Sequence, residues 1–169
     1  MMKENVQKAF NEQINAELFS AYLYMSMGGY FNSIGMPGAA NWMRVQALEE
    51  MTHAEKLANH LQERNARVIL TAIDAPQIDW KGAKDAFDEV LVHEQKVTAL
   101  INDLMDISIS EKDHAAAMFL QWFVSEQVEE EASAQAVIDQ IALAGDGKGG
   151  MLMVDKELGQ RVFTPPVAE

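Results

Sequence analysis

Helix-breaking residues are almost absent from four long stretches of this sequence, and that constrains the fold more than any other feature. The chain has only 4 prolines and 10 glycines, and most of them cluster between segments whose apolar residues recur at helical spacing. The first such segment runs from about Glu4 to Phe31, with Val6, Phe10, Ile14, Leu18, Ala21, Leu23 and Met25 assigned to its inner face. Asn32 to Gly38, containing Pro37, breaks it. A second helix is expected from about Ala39 to Asn65, with Met43, Ala47, Leu57 and Leu61 inward. A third, from about Ala83 to Ser108, turns Phe87, Leu91, Val97, Ile101 and Leu104 inward. A fourth, from about Asp113 to Leu143, carries Phe119, Phe123, Val137 and Ile141. The glycine-rich run Gly145 to Gly150 ends it, and a short fifth helix is expected over about 150–159 before an irregular tail over 160–169. All of this is read as a single domain over 1–169.

Loop length selects the topology. A helix of about 27 residues is about 40 Å long, and the roughly 17-residue connection between the second and third helices can stretch past about 50 Å. Only that connection can travel the length of a bundle. The first and second helices are therefore antiparallel, the second and third parallel, and the third and fourth antiparallel. The predicted fold class is all-α: a four-helix bundle with one long crossover and a short fifth C-terminal helix.

Each long helix interrupts its apolar stripe with acidic or polar groups. Glu17 lies seven residues from both Phe10 and Tyr24; Glu50 and His53 are three apart, in line with Met43, Gln46 and Leu57. Glu94 falls between Leu91 and Val97, while Gln127 and Glu130 fall between Phe123 and Ala134. Buried carboxylates escape the cost of desolvation by protonation, pairing or metal binding. The second helix offers Arg only near its ends, at Arg44 and Arg64, so a multivalent cation is the economical solution. Oxygen-rich ligation with one imidazole suits Fe, Mn or Zn. The absence of cysteine excludes disulfides, iron–sulfur clusters and thiol nucleophiles. It also argues against a peroxidase of the rubrerythrin kind, which carries a cysteine-held iron. A di-iron oxygenase would need an apolar substrate pocket, and a helical scaffold protein would hold no stoichiometric metal.

At net charge −13 the chain is expected to attract cations and to avoid nucleic acid. Its longest apolar run, Ala115–Leu120, is far too short for a membrane span, and Met1–Phe10 has no signal-peptide pattern. The expectation is a soluble, cytoplasmic protein.

Four stretches carry a family likeness: Asn15-Ala16-Glu17-Leu18, Tyr22-Leu23-Tyr24, Glu49-Glu50-Met51-Thr52-His53 and Ser125-Glu126-Gln127-Val128-Glu129-Glu130-Glu131. With them the chain resembles the bacterial non-haem ferritins over roughly residues 3 to 160. The resemblance implies a di-iron ferroxidase centre. Its first iron matches Glu17, Glu50 and His53; its second shares Glu50 and takes Glu94, with Gln127 hydrogen-bonding nearby. Tyr24 matches a tyrosine able to supply an electron, whereas Trp122 reads as packing. A third iron position matches Glu49, Glu126, Glu129 and Glu130. The implied activity oxidises Fe(II) with dioxygen or hydrogen peroxide, each ferrous ion giving up one electron, and stores ferric mineral inside a homo-oligomeric shell of 24 copies. Haem is not expected, because the haem-bearing relatives repeat E-x-x-H on the fourth helix and the same positions here read Gln127 and Glu130; Met51 also stands in non-haem members. Animal ferritins line a pore with two acidic residues at positions that are Ala117 and Leu120 here, so their iron entry route does not transfer. His60, His93 and His114 match no family role and are expected at the surface or satisfied by hydrogen bonds.

Overall fold

The computed structural model describes residues 2–145 and 147–165, and among these it holds five helices and no strand. They are α1 (Glu4–Ser33), α2 (Pro37–Glu63), α3 (Ala83–Ser110), α4 (His114–Ala144) and α5 (Lys148–Leu158). The α1–α2 and α3–α4 hairpins are the closest pairings, and α1 joins the hairpins through α3. Contacts fix the directions. Phe31 meets Phe87 and Tyr24 bonds Glu94, so α1 and α3 run antiparallel. Gln46 bonds Glu130 while Arg64 bonds Asp113, so α2 and α4 do too. This is the single-crossover bundle that the loop lengths imply.

The ends of the helices follow local rules. Gly35, at φ 78°, lets the chain leave α1 with Met36 N–H donating to the Phe31 carbonyl at 2.9 Å. Pro37 starts α2 at a position where its missing N–H costs nothing. Asp113 caps α4 by accepting from Ala116 N–H at 3.1 Å, and both its oxygens take Arg64 Nη2 at 3.0 Å. Desolvation alone would raise the Asp113 carboxyl, but the bonds from Arg64 and Ala116 outweigh it and hold it low.

The crossover, 64–82, lies along α1 and is pinned by side chains facing it. Asn11 donates to the Arg67 carbonyl at 3.1 Å and accepts from Ile69 N–H at 2.6 Å. Asn15 donates to the Ala72 carbonyl at 3.1 Å, and Ser26 to the Gln77 carbonyl at 2.6 Å. Trp80 anchors its end, buried and donating through Nε1 to Glu89 at 2.5 Å.

Three details differ from expectation. Met25 is 64% exposed; it sits two residues from Leu23, and residues two apart on a helix face different ways. The fifth helix begins at Lys148 and takes Gly149 and Gly150 into its first turn. Gly150 packs so closely on Ala144 that an added Cβ would lie 2.7 Å from its carbonyl oxygen, so the glycine permits contact with α4 where the sequence suggested only a break. His60 is buried and stacked between Phe10 and Phe119 at 5.3 and 4.0 Å, with Nε2 lacking a partner. It lies seven residues from His53 on the same helix face, and burial, helped by Arg64, favours its neutral ring. The end of the expected tail, 166–169, lies outside the described residues.

Two apolar layers fill the interior. One gathers Phe31, Met43, Phe87 and Ile141; the other gathers Phe10, Leu57, Ile101 and Phe123. Between them lies the polar layer.

Candidate metal centre

Helical periodicity brings the polar layer together, since each of its members replaces an apolar residue on an inward stripe. Gln13, Glu17 and Ser20 come from α1, Gln46, Glu50 and His53 from α2, Glu94 from α3, and Gln127 and Glu130 from α4; all are buried. Burial is nearly complete for Glu17 and Glu94, each 1% exposed.

A first cluster consists of Glu17, Glu50 and His53, which each offer a ligand atom within 4.8 Å of the others. Glu17 Oε1 accepts from Gln13 Nε2 at 2.9 Å, whereas its Oε2 is buried with no partner. His53 Nδ1 lies 3.4 Å from Glu50 Oε2. An orphaned carboxylate oxygen facing a second carboxylate and an imidazole offers donors that can hold a cation.

Glu94 stands beside this cluster but outside its three-atom group. Tyr24 O–H donates to its Oε1, and Gln127 Nε2 approaches its Oε2 at 3.3 Å. The negative charge of Glu94 still reaches Glu50 and Glu130, raising both carboxyls.

A second cluster reuses His53 with Glu126 and Glu130. Glu126 is partly exposed, and its Oε1 lies 4.0 Å from His53 Nε2. Glu49 stands nearby but pairs with Arg161 at 2.6 Å. Glu129 is exposed and belongs to neither cluster.

Removal from water dominates the electrostatics. Burial, reinforced by Glu50, raises the Glu17 carboxyl well above its usual range; burial, then Glu94 and Glu130, raises Glu50 likewise. Burial and the Glu94 charge push Glu130 up to about 8. Burial and the same charge raise the Tyr24 phenol, which keeps its proton for Glu94. Without a cation these carboxyls are therefore driven toward their neutral form.

The other singled-out residues are packed or exposed. His93 bonds Ser20 Oγ at 2.8 Å, and burial lowers its pKa to about 4. His114 is exposed. Trp122 meets the His53 ring edge-on at 5.4 Å, with Lys56 Nζ over its own ring at 4.2 Å. Sequence reasoning missed Gln13, Gln46 and Arg161 as site partners. The two glutamines stand four residues before Glu17 and Glu50, a spacing that could have revealed them. Arg161 gave no such signal.

An all-α bundle with one long crossover and inward carboxylates from all four long helices has the architecture of the ferritin-like proteins. The family model for the ferritin-like domain matches residues 7–144. A bacterial non-heme ferritin from Bacteroides fragilis is 44% identical over 161 residues, covering 95% of this chain and 100% of that protein. One from Staphylococcus aureus is 37% identical, covering 96% and 98%. An open-pore ferritin structure from Archaeoglobus fulgidus superposes with a TM-score of 0.95 at 47% identity, covering 96% of this chain and all of that one. The chain belongs to the ferritin family, as a ferritin of the bacterial non-haem, iron-storing kind.

Proposed function

We propose that the protein is a ferroxidase whose first cluster takes ferrous iron as substrate before storage. The observation that carries this reading is the buried trio Glu17, Glu50 and His53, with one carboxylate oxygen left without a partner. Glu17, Glu50 and His53 hold one ion, and Glu50 with Glu94 the second. Gln127 and Tyr24, already bonded to Glu94, orient its carboxylate and relax as it turns to the iron. Two ferrous ions each yield one electron, and with two protons from solvent dioxygen becomes hydrogen peroxide, or hydrogen peroxide becomes two waters. Anionic oxygen ligands favour the product because the harder, more highly charged ferric ion gains more from them. Glu126 and Glu130 of the second cluster, with Glu49 alongside, take a third iron, while the single ligating nitrogen of the neutral His53 ring stays with the first. Glu129, exposed on α4, lies outside both clusters.

Several large apolar side chains lie on the outside, among them Met25, Met51, Leu70 and Ile78 at 64%, 50%, 69% and 81% exposed. Such surface supports burial against further copies, and we assign the chain to a homo-oligomeric shell of 24 subunits working in the cytoplasm. No described helix is long and apolar enough to cross a membrane.

Anaerobic ferrous titration followed by oxygen addition tests this reading. The expected result is stoichiometric iron uptake and a rapid absorbance rise that Glu17→Ala removes while native mass still reports the shell. A protein that takes up no stoichiometric iron is a helical scaffold, and the proposal then fails.

A further inference from the structure

Arg161 reaches the acidic layer from outside the bundle. It follows α5 in a segment without regular structure, yet its guanidinium lies over the Trp42 ring at 4.4 Å. Nη1 donates to Gln46 Oε1 at 2.7 Å, and Nη2 donates to Glu49 Oε2 at 2.6 Å. Its backbone is held as well, since Asn41 Nδ2 donates to the Arg161 carbonyl at 2.9 Å. Among the described residues, no other Lys or Arg bonds a carboxylate of either cluster or Glu49.

The two bonds act on different groups. Gln46 has one acceptor end; once Arg161 occupies it, the amide nitrogen faces the acids, donating to Glu130 Oε2 at 2.6 Å and approaching Glu50 Oε1 at 3.4 Å. Glu49 lies close enough to the second cluster to feel Glu126 and His53, and without Arg161 its carboxylate is free to turn there. A guanidinium stays charged at any working pH, so it competes directly with a metal ion for that carboxylate. Only 23% of the Arg161 side chain is exposed, and the Trp42 ring beneath the guanidinium holds it against the bundle.

We propose that Arg161 is a built-in counter-cation that holds Glu49 away from the second cluster and keeps that cluster's affinity for metal below that of the buried one. This rests on the reading of both clusters as cation sites. An internal cation lowers the affinity of such a site without removing a ligand from it.

Zn(II) titration calorimetry on the assembled, metal-stripped protein tests the idea. Two classes of site are expected. Arg161→Ala tightens the weaker class by about tenfold and leaves the tighter class unchanged. Arg161→Lys keeps the charge but loses the fork and the stack on Trp42, and its affinity falls between those of the wild type and Arg161→Ala. In a Glu49→Gln background the Arg161→Ala gain disappears, which a merely structural effect of Arg161 would not produce. The inference is overturned if Arg161→Ala leaves the weaker class unchanged or weakens it, or if the gain persists without the Glu49 carboxylate. A tight class with no weaker one in the wild type overturns this inference alone. Absence of any Zn(II) binding overturns it together with the ferroxidase reading.

Discussion

The cluster around Glu17 and the cluster around Glu126 both draw on His53, yet water reaches only one of them. Glu17 and Glu50 are closed off between two apolar layers, and among the described residues no Lys or Arg bonds to them. Glu126 is partly exposed, and the neighbouring Glu49 has Arg161 as a resident cation. The contrast shows two ways of tolerating acid inside a protein. The closed cluster leaves its charge to be neutralised by protons or metal, so it should bind tightly and respond strongly to pH. The open cluster shares its charge with solvent and a guanidinium, so it should bind weakly and exchange.

The sharpest way to break this contrast is Glu50→Ala. Glu50 belongs to the closed cluster and couples electrostatically to Glu94 and Glu130. Its loss should slow the fast oxygen-dependent absorbance change by at least about a hundredfold, with the shell intact by native mass. Near wild-type rates in stopped flow would reject the assignment of the closed cluster.

Stability against pH offers the next largest effect. Glu17, Glu50 and Glu130 have folded pKa values raised by burial, Glu130 from 4.5 to about 8. Their protonated forms suit the fold, so that contribution is complete below the unfolded carboxyl pKa and is lost as pH rises through the folded values. The Tm of metal-free protein should therefore fall by about 5–10 °C between about pH 5 and about pH 8. Zn(II) should flatten the slope. A metal-free Tm that rises over the same window would mean the carboxylates are not held as the structure places them.

Gln127→Ala should slow oxidation less, by about tenfold, as expected for a partner that orients a ligand without binding the ion itself. Metal stoichiometry should stay unchanged, and loss of a whole equivalent would instead make Gln127 a ligand. The smallest change is expected for Tyr24→Phe, which removes one bond to Glu94. Its rate should fall about threefold, and a fall as large as that of Glu50→Ala would give the phenol a role beyond positioning.

The geometry of the closed cluster was legible in helical spacing, whereas the grouping of Glu126 and Glu130 in the open one came from family likeness. Glu17, Glu50 and His53 stand on apolar stripes, and a helix of known period fixes which residues share a face. Glu129 was grouped with Glu126 and Glu130 by family likeness, but helical rotation carries it to the exposed side. Glu49 is next to Glu50 in sequence, so its neighbours depend on what packs outside α2. His60 looked like a surface or hydrogen-bonded residue because two facing phenylalanines, Phe10 and Phe119, are invisible in the local pattern around it.

By itself the sequence determined the four long helices, their directions and the convergence of acids at mid-bundle. Local periodicity and the lengths of the connections are sufficient for each of these. Tertiary structure alone decided that Arg161 meets Glu49 across 112 positions of chain, that Gln46 links it to Glu130, and that Asp155 of α5 caps α2 through Ala39 N–H at 2.8 Å. These contacts depend on how irregular backbone turns after α4 and α5, and no periodic rule reports the direction of an irregular segment.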